Sequence, residues 1–236
     1  MKKIALITGG TKGLGQAIVY CLSKECQTVI ATYNTTPPSF ELSNVVFKKV
    51  DITEQSSCDE LLKSLSNEDI YPNILVNNAG VVNDVMFHKM DRSVWNDVLN
   101  VNLNSIYNLT QPIYSHMRQK GFGRIINISS VNANKGQIGQ ANYCASKAGI
   151  QGFTKALALE GAHKNITVNS ISPGYCQTDM LTSMKPEVLE QVINTIPARR
   201  LGKPEEIAHL VAYLISENAG YVSGANFEIN GGLYSS

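Results

Sequence analysis

No stretch of this chain stays apolar for anything near the roughly 20 residues that a membrane helix needs. The start, "MKKIALITGGTKG", reaches glycine after a short strand-like run and offers no secretory core. Charge of either sign is not in excess: 20 Lys and Arg stand against 19 Asp and Glu, with a pI near 7.6. No net field therefore gathers nucleic acid or an anionic membrane. The five cysteines, Cys21, Cys26, Cys58, Cys144 and Cys176, are odd in number and contain no C-x-x-C pair. Reduced thiols are expected rather than disulfides. The four histidines, His88, His116, His163 and His209, lack any metal-ligand spacing, so no metal site is expected. Together these absences predict a soluble, cytoplasmic protein with neither nucleic acid nor membrane as a partner.

What is present is a regular alternation. "KIALIT", "TVIATY", "VVFKKV", "NILVNN", "GRIINIS", "ITVNSIS" and "FEIN" read as short buried strands, with helical patterns between them. After Pro204, Glu205 and Glu206 occupy a first turn, and Ile207, Leu210, Val211, Leu214 and Ile215 share one face, with Gly220 near the stop. Strand then helix, repeated, predicts an α/β fold with a doubly wound parallel sheet. At 236 residues and 43% hydrophobic composition, one domain spanning 1–236 is expected. Residues 34–39, "NTTPPS", read as a loop, and about 175–204 as a mostly helical excursion that makes a candidate substrate lid.

Between the first strand and the first helix lies "TGGTKGLG", with Gly9, Gly13 and Gly15 spaced G-x-x-x-G-x-G. Glycines there allow a tight turn, and backbone N–H groups then approach a pyrophosphate resting on the helix N-terminus. A ribose-reading acid belongs about 20 residues further on. Here the second strand ends in "ATYNTT", and no acid occurs between Glu25 and Glu41. That gap removes the repulsion a 2′-phosphate would meet, and Lys12 offers a point charge. NADP is expected over NAD.

Tyr143 and Lys147 stand at i and i+4 on a helix expected to begin near Asn142. An ammonium roughly 5 Å from the phenol, at an effective dielectric near 20, favours phenolate by about 3 kcal/mol. The tyrosine is thus expected to titrate about two units below its usual value near 10 and to serve as an acid near neutral pH.

With "NNAG" at 77–80, Asn102 in "NVNL", "ISS" at 128–130, "YCASK" at 143–147 and "SPGYCQT" at 172–178, the chain resembles the short-chain dehydrogenase/reductase family over essentially its whole length. The resemblance implies a Rossmann fold and a catalytic tetrad of Asn102, Ser130, Tyr143 and Lys147. Ser130 is preferred to Ser129 because it lies thirteen residues before Tyr143. Tyr143 would give a proton to the substrate carbonyl, Ser130 would orient it, Lys147 would hold the nicotinamide ribose, and Asn102 would hold a water of the proton relay. The cofactor set implied is Gly9, Thr11, Lys12, Gly13, Leu14, Gly15, Asn34, Asp51, Ile52, Asn78, Ala79, Gly80, Pro173, Gly174 and Thr178, with Tyr143 and Lys147. Asn78 is also expected to tie strands together, and Thr178 has a second reading as a cap of the lid helix.

Within the family, "INISSVNANKGQIGQANY", "SPGYCQTDM" and "IPARRLGKPEEIA" look more like the acetoacetyl-CoA reductases than the 3-oxoacyl-ACP reductases. Gln137, Gln140 and Tyr175 are the matching substrate positions, beside Ser130 and Tyr143. Arg199 and Arg200 suit the phosphates of CoA or an acidic carrier protein, or pack around the lid. The presence of all four catalytic residue types argues against a dinucleotide sensor without turnover. A homotetramer is implied, and Ala145, Ala148, Gly149, Gly152 and Ala156 are small enough to allow close helix packing.

Overall fold

The computed structural model describes residues 2–178 and 185–235. Strands β1 (Ile4–Ile7), β2 (Thr28–Tyr33), β3 (Val45–Lys49), β4 (Ile74–Asn77), β5 (Gly123–Ile128), β6 (Ile166–Pro173) and β7 (Asn226–Ile229) form one parallel sheet in the order β3-β2-β1-β4-β5-β6-β7. The central strands are rich in apolar residues because helices cover both faces of the sheet, although β5 and β6 also bury Arg124, Asn127, Asn169 and Ser170. Register sorts the strand residues into two layers. Ala31, Ile7, Val76 and Ile126 form a row on one face, and one position earlier Ile30, Leu6, Leu75, Ile125 and Val168 form a row on the other.

Helices α1 (Gly13–Leu22) and α8 (Pro204–Leu214) cover the first face with Ile18, Leu22, Ile207, Val211 and Leu214. Helices α2 (Gln55–Asn67), α4 (Ile106–Lys120) and α6 (Ala141–Gly161) cover the second, where Leu61, Leu109, Met117 and Ala158 are buried. Each large aliphatic side chain so buried contributes about 1.5–3 kcal/mol. Helix α8 begins at Pro204 as expected, but its chain leaves the helix at Ile215, and a 3₁₀ turn, Glu217–Ala219, precedes Gly220. Leu210 is only half-buried, and Ala208 takes its place in the buried stripe.

Three shorter features frame the C-terminal ends of the strands. Helix α3 (Arg92–Leu99) runs through a π turn, Asn100–Asn104, into α4. The short α5 (Asn132–Lys135) follows β5. After β6 the chain makes an excursion that contains α7 (Pro186–Thr195), and part of the expected lid, 179–184, lies outside the described residues. The two ends of this excursion are fastened to each other. Gly202 N–H donates to Tyr175 C=O at 2.9 Å, and Gln177 N–H donates to Gly202 C=O at 2.9 Å. Tyr175, Leu189, Val192, Ile193, Ile196 and Leu201 form a small apolar cluster of their own.

Candidate active site

The strand order reverses direction of growth between β1 and β4, and a crevice at the C-terminal ends of such a pair is where doubly wound sheets take ligands. Three turns converge there. The first is the glycine loop: Gly9 has φ +66°, and a Cβ on it would lie 3.1 Å from Ala79 Cα, while a Cβ on Gly15 would lie 2.0 Å from the Gly9 carbonyl oxygen. Side chains are thus excluded from a bare backbone cradle, as close approach of a pyrophosphate requires. Helix α1 opens directly behind it, with no acid in its first turn and exposed Lys12 at the N-cap. The N-terminal partial positive charge is left for an anion, and the fit of the loop to a dinucleotide is physically sound.

The second turn follows β4. Asn78 donates from its side chain to the carbonyls of Thr8 and Gly9 at 2.9 and 3.1 Å, and Thr8 Oγ1 accepts from the backbone of Asn78 and Ala79. The strand-tying part of the expectation for Asn78 is therefore visible as bonds. Thr11 ties the loop to the β2 end by donating to Thr36 C=O, and Asn34 donates to Asp51 at 3.0 Å. Asp51 is held below the usual carboxylate range, chiefly by the Thr53 hydroxyl. Ile52 and Ala79 share the wall of one small cavity with Thr8. The third turn, after β6, brings Thr178 within van der Waals reach of the glycine loop: a Cβ on Gly13 would lie 3.4 Å from Thr178 Cγ2. Gly174 sits so close to Asn230 that a Cβ there would approach its Cα to 2.8 Å.

Helix α6 brings the tetrad together. Ser130 stands close enough to Tyr143 to favour its ionised phenol. Ser130 Oγ also accepts from Asn132 N–H at 3.1 Å, whereas Ser129 Oγ donates to the Lys147 carbonyl at 2.9 Å and so serves the helix backbone. Lys147 is 4% exposed, donates from Nζ to Ile128 C=O at 2.8 Å and stands 5.7 Å from the centre of the Tyr143 ring. Asn102 lies in the π turn, a helix irregularity that recurs at functional sites. Its Nδ2 donates to Val81 C=O and to Ser146 Oγ, and its Oδ1 accepts from Val81 N–H. Both amide hydrogens are used, so one lone pair on Oδ1 is what remains for a water. Asn102 and Lys147 face each other across Gly80, where a Cβ would lie 3.2 Å from Asn102 Oδ1 and 3.4 Å from Lys147 Nζ.

The acidity expected for Tyr143 is not found in this state. Burial pushes its phenol above the usual value, the neighbouring Ser130 hydroxyl only partly offsets that, and Cys144 and Asp84 add to the rise. Lys147 Nζ stands over the Tyr143 ring and donates to the Ile128 carbonyl. Desolvation also lowers Lys147, to about 8. A buried cation and a buried phenol are each pushed toward neutrality.

At the mouth of the site Gln140 is bonded at both ends of its amide. Its Oε1 accepts from Asn132 Nδ2 at 2.9 Å, and its Nε2 donates to Asp84 Oδ2 at 3.0 Å. Tyr175 is half-buried, and its phenol is raised by burial and then by Asp84. Asp84 thus joins Gln140, Tyr143 and Tyr175 electrostatically. Gln137 is exposed, with its oxygen accepting from Lys135 Nζ at 2.8 Å. Arg199 donates to Asn194, and Arg200 forms a two-bond pair with Glu206 at 2.7 Å, which brings that carboxyl down to about 2. Both arginines are thus engaged around the excursion. Sequence reasoning missed Asp84 and Asn132. The signal for Asp84 was an acid four residues past "NNAG"; Asn132 has no signal apart from its place two residues after Ser130.

The short chain dehydrogenase family profile matches residues 3–188. An acetoacetyl-CoA reductase of Shinella zoogloeoides is 45% identical over 240 residues, covering 99% of each chain. One from Cupriavidus necator is 41% identical over 242 residues, covering 99% of this chain and 98% of the relative. A 3-oxoacyl-[acyl-carrier-protein] reductase FabG of Haemophilus influenzae is 41% identical over 237 residues, covering 98% of each.

Proposed function

The chain belongs to the short-chain dehydrogenase family, whose enzymes use a nicotinamide cofactor, and we propose that it reduces acetoacetyl-CoA to (R)-3-hydroxybutyryl-CoA with NADPH. The observation that carries this reading is the hydrogen-bonded chain Ser130–Asn132–Gln140–Asp84, whose terminal carboxylate also acts on the phenols of Tyr143 and Tyr175. That arrangement offers polar groups and one aromatic face for a short β-ketoacyl thioester. The names of the Shinella and Cupriavidus relatives point the same way.

When bound, the dinucleotide supplies the hydride that reduces the keto carbon. The loop of Gly9, Thr11, Lys12, Gly13, Leu14 and Gly15 would hold its pyrophosphate, Asn34, Asp51, Ile52, Asn78, Ala79 and Gly80 would hold its adenosine end, and Pro173, Gly174 and Thr178 would hold its carboxamide. The absence of an acid between Glu25 and Glu41, with Lys12 exposed at the N-cap, supports NADPH over NADH. Ser130 donates to the ketone oxygen. Its oxygen already accepts from Asn132 N–H, which leaves its proton for that purpose. Tyr143 delivers its proton to the same oxygen as negative charge develops there. Cationic Lys147 holds ribose hydroxyls and, with Asn102, returns a proton to Tyr143.

The five free thiols suit the cytoplasm. Among the described residues no helix is long and apolar enough to cross a membrane. Exposed Tyr107 and Leu159, with Ala145, Ala148, Gly152 and Ala156, make α4 and α6 the faces through which a homotetramer would assemble; Gly149 instead packs on Leu103 inside the chain.

Steady-state rates with NADPH and NADH against acetoacetyl-CoA and acetoacetyl-ACP test the reading. The expected optimum is NADPH with the CoA thioester. A specificity constant about tenfold higher for the carrier-protein thioester, a difference of about 1.4 kcal/mol, would assign the chain to the function named for the Haemophilus relative.

A further inference from the structure

We propose that Asn132 is a positioning residue which, together with Asp84, fixes the Gln140 amide with its nitrogen toward the substrate mouth and its oxygen inward. The inference rests on the reading of the site as one that reduces a short β-ketoacyl thioester. Gln140 stands between two partners of opposite kind, Asn132 Nδ2 on its oxygen and Asp84 Oδ2 on its nitrogen. An ionised carboxylate only accepts, so it can face the nitrogen of Gln140 but not the oxygen. That single condition sets the sense of the chain: Gln140 must turn its oxygen to Asn132, and Asn132 must answer with its own nitrogen.

The consequence appears at the far end. Asn132 Oδ1 has no hydrogen-bond partner among the described residues, although Asn132 is only 7% exposed. Reversing Asn132 alone would set two carbonyl oxygens against each other, and reversing both amides would set Gln140 Oε1 against Asp84. The orphaned oxygen is therefore the remainder of an orientation imposed by charge. Among the described residues Gln140 Nε2 has one acceptor, Asp84, which leaves its second N–H for a ligand. The oxygens of a β-ketoacyl thioester only accept, so this donor matches the substrate and not a ligand that presents a donor there. The backbone N–H of Asn132 also donates to Ser130 Oγ. That bond survives replacement of the side chain, so the two roles of Asn132 separate in experiment.

The test uses the full-length enzyme and its Asn132→Ala, Asn132→Asp, Gln140→Ala and Asn132→Ala/Gln140→Ala variants, with saturating NADPH and acetoacetyl-CoA or acetoacetyl-ACP, whichever the parent reduces faster. Asn132→Ala and Asn132→Asp each raise KM for the thioester about tenfold, the size of one well-placed hydrogen bond, while kcat stays within about threefold and NADPH affinity is unchanged. In the Gln140→Ala background the Asn132→Ala change has no further effect on KM. Additive losses, or a loss carried by kcat or by NADPH affinity, would overturn the proposal. A substrate-free readout keeps it separate from the assignment of carrier and activity: the side-chain amide of Gln140, labelled with ¹⁵N, loses hydrogen-exchange protection in Asn132→Ala and in Asp84→Asn. Unchanged protection in both variants would overturn the inference whatever thioester is turned over, whereas absence of turnover in the parent would overturn only the functional reading.

Discussion

Tyr143 and Lys147 show what spacing along a helix conveys and what it omits. Four residues bring the two side chains to one face, but the burial that raises the phenol and lowers the ammonium to about 8 belongs to the packed molecule. In the reaction proposed, Tyr143→Phe removes the proton donor while leaving the ring's packing. Turnover is expected to fall by at least about a thousandfold, in the range for a lost general acid, with NADPH affinity within about threefold by fluorescence titration. Residual activity within tenfold of the parent would contradict the role of Tyr143. Lys147 sets a pH dependence of definite sign. Below about pH 8 it is cationic in the cofactor-free protein, and above that it is neutral. If the cation holds the ribose, the NADPH dissociation constant rises above pH 8 by up to about tenfold per unit, and Lys147→Met flattens the curve. The unfolded chain keeps this proton up to 10.5, so the group opposes folding below pH 8, and that opposition is removed as pH rises from about 8 to 10.5. Gln137 and Gln140 are equally polar on paper, yet Gln137 is bonded to Lys135 of its own loop while Gln140 lies between Asn132 and Asp84.

Among the elements, the strands were legible because a sheet buried on both faces leaves nearly uninterrupted apolar runs, and "TVIATY" coincides with β2 residue for residue. The end of α8 was less so. The chain leaves the helix at Ile215 without glycine, and Gly220 closes the following turn instead. The π turn that seats Asn102 has no pattern in "NVNL" to announce it, since it is set by how Asn102 clamps Val81 and Ser146. A prediction at this scale concerns the two rows of the sheet. Leu75 is fully buried in the row Ile30, Leu6, Leu75, Ile125, so Leu75→Ala is expected to cost about 2–5 kcal/mol. Chemical denaturation measures it; a loss below about 1 kcal/mol would mean that the surrounding layer collapses into the space.

Across the whole molecule, catalytic candidates from the π turn, the end of β5 and α6 meet at one end of the sheet, while the excursion after β6 carries an apolar cluster of its own. Sequence order alone conveyed the architecture, because each crossover returns the chain to the same edge direction. It did not convey how the excursion is anchored. Its two ends are laced together by the bonds between Gly202 and the Tyr175–Gln177 segment. The excursion is also tied to its surroundings by Ala198 N–H donating to Gly231 C=O at 3.0 Å and by the Arg200–Glu206 pair, so a segment exchanged between the laced ends must keep those ties. Replacing 179–201 with the corresponding segment of a relative that accepts longer acyl chains is expected to move chain-length preference, read as kcat/KM across β-ketoacyl thioesters, while the thermal midpoint shifts by less than about 5 °C, the scale of roughly 1–2 kcal/mol in a protein of this size. New substrate ranges are then reached by trading one closed loop, without renegotiating the sheet that carries the chemistry.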